Sequence, residues 1–257
     1  MIPPEPVERS RTCAIAVIAK APRPGHVKTR LQGILAPDEA AAMGAAFLRD
    51  TLGNLVAAGR EATIAPFVAY APAGQEARFD GLLPPGVALI LADGTNGEAP
   101  GVAGFGRVLL DTTRTLLGMG YGAACVLGAD SPTLPTAELV RCAEALLSGR
   151  AEAVLGAAED GGYYVLGLRT AHGAAFADIA WSTDVVATQA RAGLSGLRVE
   201  ELALWYDVDD ASSMTRLVQD LAGGARAGGA QGPYAAPFTA ALVDRLGLRG
   251  RLSQHAA

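Results

Sequence analysis

A crowded group of cationic side chains follows the first apolar run of the chain. Residues 13–19 have the composition of a buried strand, and the loop behind them holds Gly25 and four basic residues. Those residues are Lys20, Arg23, Lys28 and Arg30. Glycine lets a backbone approach a ligand closely, and backbone N–H groups with the next helix N-terminus add positive potential. The loop predicts a phosphate site, although a solvated basic surface is the alternative and the spacing is neither the Walker pattern nor the dinucleotide fingerprint.

An acidic residue directly ends a second apolar run. In Val126-Leu-Gly-Ala-Asp-Ser-Pro-Thr-Leu-Pro135, Asp130 follows the predicted strand. The carboxyl ends of strands form the ligand crevice of an open α/β sheet, so Asp130 is placed to hold Mg²⁺ against phosphate oxygens. A role for Asp130 or Ser131 in the turn or as a helix cap is the alternative.

Two carboxylates, two glycines and two tyrosines make up a third group, Glu159-Asp-Gly-Gly-Tyr-Tyr164. The paired glycines between two predicted strands indicate a hairpin turn. The polar side chains beside them are suited to the hydroxyl groups of an acceptor, with one tyrosine ring as an apolar platform. Strand alternation directs the other tyrosine into the core.

Two later runs also contain residues of functional type. Trp181-Ser-Thr-Asp184 predicts a loop that enters a helix, with Ser182 or Thr183 as N-cap and Trp181 as a pocket wall. In Tyr206-Asp-Val-Asp-Asp210, Asp207 and Asp209 point to the same side and repel each other unless a cation lies near them. One of the last two aspartates is expected to cap the next helix. No sequence feature indicates a covalent nucleophile.

The bulk properties restrict the class of protein. The 257 residues are 50% hydrophobic with a net charge of −5, which argues against nucleic acid as the main partner. The 3 cysteines lack metal-ligand spacing and are expected to be reduced. We expect a cytoplasmic protein with no membrane span and no signal peptide. The sequence leaves the oligomeric state open.

Strand-like and helical patterns alternate along the chain, which predicts a layered α/β fold with a mostly parallel sheet. The predicted strands are 13–19, 63–70, 87–92, 123–128, 153–156 and 163–168, with an extended stretch at 199–208. The predicted helices are 37–58, 75–83, 107–119, 136–147, 183–192, 211–221 and 237–246. Residues 93–106 are a predicted binding loop. Residues 1–12 are a predicted disordered tail, 13–221 the domain, and 222–257 a flexible segment with a terminal helix.

The order of these motifs resembles a bacterial family within the nucleotide-diphospho-sugar transferase (GT-A) superfamily, whose members are labelled glycosyltransferases, some of them of arsenosugar biosynthesis. The similarity spans about residues 13–221. It implies one GT-A, Rossmann-like domain with a mixed, mostly parallel sheet and helices on both faces.

The resemblance also implies roles for residues. Lys28 and Arg30 would hold donor phosphates, with Lys20, Arg23, Gly25 and Arg107 beside them. The metal, Mg²⁺ or Mn²⁺, would be bound by Asp130, Asp207 and Asp209. The acceptor would meet Glu159, Asp160, Gly161, Gly162, Tyr163, Trp181 and Ser182. Asp130, Lys28 and Asp160 would be catalytic, with Asp160 preferred over Glu159 as the base. The run Gly104-Phe-Gly-Arg107 departs from the Asp-Leu-Gly-Glu-Arg-like run expected there.

Three functions are compatible with this sequence. Glycosyl transfer from a nucleotide-sugar to a small acceptor is favoured. Nucleotidyl transfer from an NTP to a phosphorylated or phosphonate acceptor is the alternative, because the basic loop and the Asp-Ser-Pro-x-Leu run also resemble molybdenum-cofactor and phospholactate nucleotidyltransferases. A non-catalytic nucleotide-binding module is the third.

Overall fold

One mixed sheet forms the centre of the molecule. The computed structural model describes residues 6–222 and 232–255. Its strands are β1 (Cys13–Lys20), β2 (Ile64–Ala71), β3 (Ala88–Leu91), β4 (Ala123–Gly128), β5 (Ala153–Ala157), β6 (Tyr163–Leu168) and β7 (Val199–Glu201). Within these residues they pair in the order β3-β2-β1-β4-β6-β5-β7, and only β6 runs antiparallel to its neighbours. The predicted mostly parallel mixed sheet is confirmed.

Helices cover both faces of this sheet. They are α1 (Pro6–Arg9), α2 (Pro37–Ala58), α3 (Phe105–Gly118), α4 (Thr136–Leu147), α5 (Val186–Gly193), α6 (Ala211–Ala222), α7 (Pro237–Arg245) and α8 (Leu248–His255). Successive residues of β1 face opposite sides, so Ile15 and Val17 pack with α2 and α4, while Ala14 and Ala16 pack with α3. Burial on both faces explains the continuous apolar run of β1.

The longest helix begins and ends where local chemistry dictates. Pro37 occupies the first turn of α2, where a missing N–H costs nothing, and Glu39 accepts a hydrogen bond from the backbone N–H of Ala36 at 2.9 Å. Gly59 follows its last residue. The predicted bounds of this helix are confirmed.

The C-terminal helices pack behind the basic loop. Leu31, Ile34 and Leu35, which follow the loop, share an apolar cluster with residues of α6, α7 and α8. Asp50 of α2 is fully buried and accepts hydrogen bonds from the backbone N–H groups of Phe238 and Thr239, at 3.0 and 2.7 Å. Asp50 therefore caps α7 and joins it to the main domain.

Several sequence predictions differ from the structure. The helix predicted for residues 75–83 is only a short 3-10 helix at Glu76–Phe79. The predicted disordered tail contains α1, whose end is held because Gly122 N–H donates to Arg9 and Thr12 carbonyls. The helix predicted from 183 begins at Val186, and the extended stretch 199–208 pairs as a strand only to Glu201. Helix α8 was not predicted.

Two further predictions concern a flexible segment and membrane-spanning helices. Most of the predicted flexible segment, residues 223–231, lies outside the described residues. In the part of the chain that is described, no helix is both long and apolar enough to cross a bilayer.

The cap formed by Asp50 yields a stability prediction. Replacing Asp50 with alanine leaves two buried N–H groups without acceptors, so we expect the free energy of unfolding to fall by about 1–3 kcal/mol. Asp50→Asn keeps one acceptor and should lose less. Urea denaturation measures both, with Asp38→Ala in the exposed first turn of α2 as control. Equal stability of Asp50→Ala and Asp38→Ala would contradict the capping role.

The β5–β6 hairpin yields a second stability prediction. Gly161 has a φ of +90°, and a Cβ there would lie 2.0 Å from the carbonyl oxygen of Asp184. Gly161→Ala should therefore cost roughly 2 kcal/mol or more in unfolding free energy. Gly118→Ala is the matched control, because nothing lies within 4 Å of a Cβ at that position. Its stability should be unchanged or raised when both variants are unfolded in urea.

Candidate functional site

A buried lysine joins two carboxylates from distant parts of the chain. The ammonium Nζ of Lys28 lies 2.6 Å from Oδ1 of Asp130 and 2.8 Å from Oδ1 of Asp209. It also donates to the carbonyl oxygen of Val208 at 2.7 Å, so its three N–H groups all have acceptors. Only 6% of the Lys28 side chain is exposed, against 46% for Asp130 and 40% for Asp209. The lysine is covered, while both carboxylates remain open to a ligand.

The surroundings of Lys28 raise its pKa and hold its backbone in an uncommon conformation. Burial lowers the pKa of Lys28, but the two carboxylates and their hydrogen bonds outweigh burial, and the net pKa lies above its usual value. Its φ of 50° is uncommon for a residue with a side chain and costs on the order of 1 kcal/mol. The Nζ also stands 5.1 Å from the ring centre of Phe47. The ion pairs and the packing together hold this strained residue.

The predicted phosphate-binding residues separate into two groups. A cavity of about 330 Å³ lies at the carboxyl ends of β1 and β4. Its polar lining residues include Lys20, His26, Lys28, Arg30, Asp130 and Asp209. Arg23 and Gly25 are exposed in the same loop but do not line the cavity. Arg107 does not line it either, and its guanidinium pairs with Glu98 at 2.8 Å.

A second, acidic cavity adjoins the first. Its volume is about 320 Å³. It is lined by Arg30, Glu159, Asp160, Tyr206, Asp207, Asp209, Asp210, Ser212, Ser213 and Arg216. Arg30 and Asp209 line both cavities, so a cationic compartment and an acidic compartment meet at these two side chains.

The acidic compartment is not fully compensated by the cations around it. Asp207 is partly buried, and burial together with the charges of Asp160, Asp209 and Asp130 raises its pKa to about 6. Asp210 differs, since its carboxylate accepts hydrogen bonds from Ser212 and Ser213, which lower its pKa. Asp210 is therefore the residue that caps α6, as one of the two sequence alternatives expected.

The donor chemistry of the three predicted metal ligands suits a hard divalent cation. Asp130, Asp207 and Asp209 offer carboxylate oxygens, and residual negative charge at Asp207 favours a further cation. Among the described residues, however, no three His, Cys, Asp or Glu side chains are already grouped as ligands. The ammonium of Lys28 lies between two of the three carboxylates. The chemistry of the residues fits a metal, and their present arrangement holds a lysine.

In the predicted acceptor motif, residues 159–164, some residues stabilise the fold and others line the acidic cavity. Gly161 packs against Asp184, and its carbonyl accepts from Ala187 N–H at 2.8 Å, so this turn anchors the start of α5. Asp160 accepts from Gly162 N–H at 2.8 Å and lines the acidic cavity. Glu159 forms an ion pair with Arg216.

The motif's two tyrosines both have buried hydroxyls. The Tyr164 hydroxyl donates to the Ala203 carbonyl at 2.8 Å. The Tyr163 hydroxyl has no hydrogen-bond partner among the described residues, and burial raises its pKa well above the usual range. The ring of Tyr163, rather than its hydroxyl, is the part that contacts other aromatic side chains.

Three aromatic rings form one wall beside the cationic cavity. The Phe105 ring lies 5.2 Å from that of Trp181, edge to face, and Trp181 lies 6.3 Å from Tyr163. Phe105 lines the cavity and is 45% exposed, so Trp181 contributes through Phe105. Ser182 is exposed with a φ of 66°, and the Thr183 hydroxyl donates to the carbonyl oxygen of Ala180 at 2.7 Å. Neither residue caps α5, which begins at Val186.

Sequence reasoning missed Arg216 and Phe105. Arg216 pairs with Glu159 and stands 4.0 Å from the centre of the Tyr206 ring. Nothing in the local sequence of α6 distinguishes it, because its role depends on two segments that meet only in the fold. Phe105 had a usable signal, since an apolar residue between Gly104 and Gly106 in a polar loop is unusual.

Solved structures share this fold. The chain matches a protein of Desulfovibrio desulfuricans G20, provisionally named a nucleotide-diphospho-sugar transferase, with a TM-score of 0.75 and 23% identity over 95% of this chain and 97% of that one. A cytidylyltransferase from Leptospira borgpetersenii serovar Hardjo-bovis matches with a TM-score of 0.52 and 12% identity over 94% and 96%. CMP:2-keto-3-deoxy-manno-octonic acid synthetase complexed with CTP matches at 0.51 and 11% over 82% and 99%.

The sequence comparisons place the chain more directly. No functionally curated protein matches it. A family model described as an uncharacterized protein conserved in bacteria (DUF2064) matches residues 54–183. These residues include strand β4, which precedes Asp130, and the turn from Glu159 to Tyr163. The chain therefore belongs to the DUF2064 family, and it shares the fold of the solved structures.

Proposed function

We propose that the protein is a metal-dependent transferase that moves a glycosyl group from a nucleotide-diphospho-sugar to a small acceptor. One observation carries this proposal. A cationic cavity and an acidic cavity meet at Arg30 and Asp209, at the carboxyl edge of the sheet. Such an edge is where open α/β sheets bind ligands.

The cationic cavity suits the diphosphate of the donor. Lys20, His26 and Arg30 line it and are exposed, so their charged groups are available to phosphate oxygens. Arg30 also reaches the boundary with the acidic cavity. A guanidinium at this boundary would stabilise the charge that develops on the diphosphate as the bond to the sugar breaks.

A divalent ion would complete this stabilisation. Asp130, Asp207 and Asp209 are the residues that would hold Mg²⁺ or Mn²⁺. When bound, such an ion supplies further positive charge to the departing diphosphate. The likeness in fold to a protein named for nucleotide-diphospho-sugar transfer supports the same assignment.

The acidic cavity suits an uncharged, hydroxyl-bearing acceptor. Five of its residues are carboxylic acids and two are arginines, one of which pairs with Glu159. A phosphorylated acceptor would be repelled by this excess of negative charge. Asp160 is held by the N–H of Gly162 and is the proposed base. It takes the acceptor proton as the acceptor oxygen bonds to the sugar carbon and the carbon–diphosphate bond breaks.

Nucleotidyl transfer is the second candidate. Four cationic side chains within eleven residues suit a triphosphate better than a diphosphate. Two proteins of similar fold, a cytidylyltransferase and a synthetase complexed with CTP, support this candidate. The acidic cavity argues against it wherever the acceptor carries a phosphate or phosphonate.

A product assay separates the two reactions. The protein is incubated with Mg²⁺, a panel of nucleotide-sugars or NTPs, and pooled neutral or phosphorylated sugars. Release of a nucleoside diphosphate that depends on a neutral acceptor supports glycosyl transfer. Pyrophosphate release that depends on a phosphorylated acceptor overturns it. Mg²⁺-dependent nucleotide binding that survives Asp130→Ala, without either product, points to a non-catalytic binding module.

Arg30 provides a prediction with a control in the same loop. Loss of a charge-assisted hydrogen bond to phosphate costs about 1.5–3 kcal/mol, or roughly 10- to 100-fold in binding. We expect Arg30→Gln to weaken the binding of nucleoside diphosphate by that factor in isothermal calorimetry. Arg23→Gln removes the same charge from a residue that does not line the cavity, and should change binding less than about threefold. Equal losses would mean that only the net charge of the loop matters.

A further inference from the structure

The chain uses lysine at two positions only. Of its 21 lysine and arginine residues, Lys20 and Lys28 are the lysines, and both stand in the basic loop. Lys28 does not face the cationic cavity with a free ammonium, because all three of its N–H groups are taken by Asp130, Asp209 and Val208. The phosphate-binding role predicted for Lys28 therefore requires that it first leave these partners.

The backbone segments that carry the two carboxylates are also joined by contacts that do not involve Lys28. The backbone N–H of Val208 donates to the carbonyl oxygen of Asp130 at 2.8 Å, which joins their segments through the main chain. Asp209 is further fixed because its backbone N–H donates to the hydroxyl of Ser213 at 3.0 Å. The two backbone segments can therefore stay joined when one cation between the carboxylates replaces another.

We propose that Lys28 and a divalent cation compete for the same carboxylate oxygens of Asp130 and Asp209. Without the metal, the ammonium of Lys28 occupies the space between the two carboxylates. Metal binding releases the ammonium into the cavity that Lys28 already lines, where it can meet phosphate oxygens. Lys28 is thus a positioning residue with two alternative partners, and it couples metal binding to donor binding. This inference rests on the metal dependence in the proposed function.

The chemistry of the ammonium suits such an exchange. Lysine carries a compact point charge on a flexible stem, whereas the planar guanidinium of arginine favours bidentate pairing. The acceptors at 2.6, 2.7 and 2.8 Å come from two segments and surround one nitrogen atom. Two like charges left without any cation repel, so one cation or the other is required between them.

Amine acetylation measures the release of Lys28 directly. The full-length protein is treated with an acetylating ester at neutral pH, and the modification of each lysine is followed by mass spectrometry. Lys20 is exposed and serves as an internal reference. Without divalent ions, Lys28 should react at least about tenfold more slowly than Lys20, because its amine is buried and hydrogen-bonded. At saturating Mn²⁺ the Lys28-to-Lys20 ratio should rise several-fold, and NaCl at equal ionic strength should leave it unchanged.

Calorimetric titration with Mn²⁺ alone tests the competition from the other side. Lys28→Met removes the competing ammonium, so Mn²⁺ should bind about tenfold or more tightly. Lys20→Met removes the same charge elsewhere in the loop and controls for net charge. Lys28→Arg keeps a cation in place, and its Mn²⁺ affinity should stay near that of the natural protein. If Lys28→Met folds only when Mn²⁺ is present, the requirement for one cation is supported.

The possible outcomes test the competition between Lys28 and the metal separately from the proposed transferase function. If the natural protein and Lys28→Met both fail to bind Mn²⁺, the metal site and this inference are overturned together. If Mn²⁺ saturates the natural protein while the Lys28-to-Lys20 ratio stays constant, Lys28 is a permanent structural tie. Equal Mn²⁺ affinities of Lys28→Met and Lys20→Met lead to the same conclusion. Those two results would contradict the competition but not the proposed transferase function.

Discussion

The ammonium of Lys28 between Asp130 and Asp209 is the contact around which the site is organised. A buried charge is costly unless it is paired and hydrogen-bonded, and here three acceptors within 2.8 Å meet that requirement. The three residues come from the loop after β1, the end of β4 and the segment before α6. Each of these elements must be in register for the charges to meet. The sheet supplies that register, because β1 and β4 pair in parallel and end at the same edge.

Helices α7 and α8 support the ion pairs of Lys28 indirectly, because they pack against the residues that follow the basic loop. Leu31 and Leu35 follow the basic loop and pack among apolar residues of α6, α7 and α8. Arg251 of α8 makes a bidentate pair with Glu39 and donates to the carbonyl oxygen of Ile34. Helices α7 and α8, to which the sequence assigned no chemistry, therefore stabilise the chain that directly follows Lys28 and Arg30.

Local signals were enough to predict the elements on which the site is built. The bounds of α2, β4, α4 and β6 agree with the sequence predictions, because prolines, glycines and acidic first turns mark their ends. The start of α5 was wrong because residues 181–185 dock on the Gly161 turn instead of entering the helix. That docking is a tertiary contact, and no local propensity encodes it. Strand β7 pairs with only the first three residues of β5, and the parallel pairing resumes at one isolated bridge between Ala158 and Trp205.

The sequence predicted that basic and acidic side chains lie at the same edge of the sheet, but it did not predict which of them form ion pairs. Strand order explains why Lys28 and Asp130 share one edge, and this follows from the alternation of strands and helices. The sequence also placed Lys28 with phosphates and the aspartates with a metal. In the folded protein the ammonium of Lys28 pairs with the carboxylates of Asp130 and Asp209 instead. Opposite charges that lie close together in a partly buried site attract each other strongly. The identity of each partner depends on distances of a few ångströms, which residue types and spacing do not determine.

The division of the cleft into two compartments follows from the same charges. Asp209 pairs with Lys28 in the cationic cavity, and burial together with the charges of Asp160 and Asp209 raises the pKa of Asp207 in the acidic cavity. Arg30 lies at the boundary and keeps the cationic side from being cancelled. Under the proposed function, the anionic donor would lie in the cationic cavity and the hydroxylated acceptor in the acidic one. An acceptor that is itself anionic would be repelled there unless a further cation entered beside Asp207.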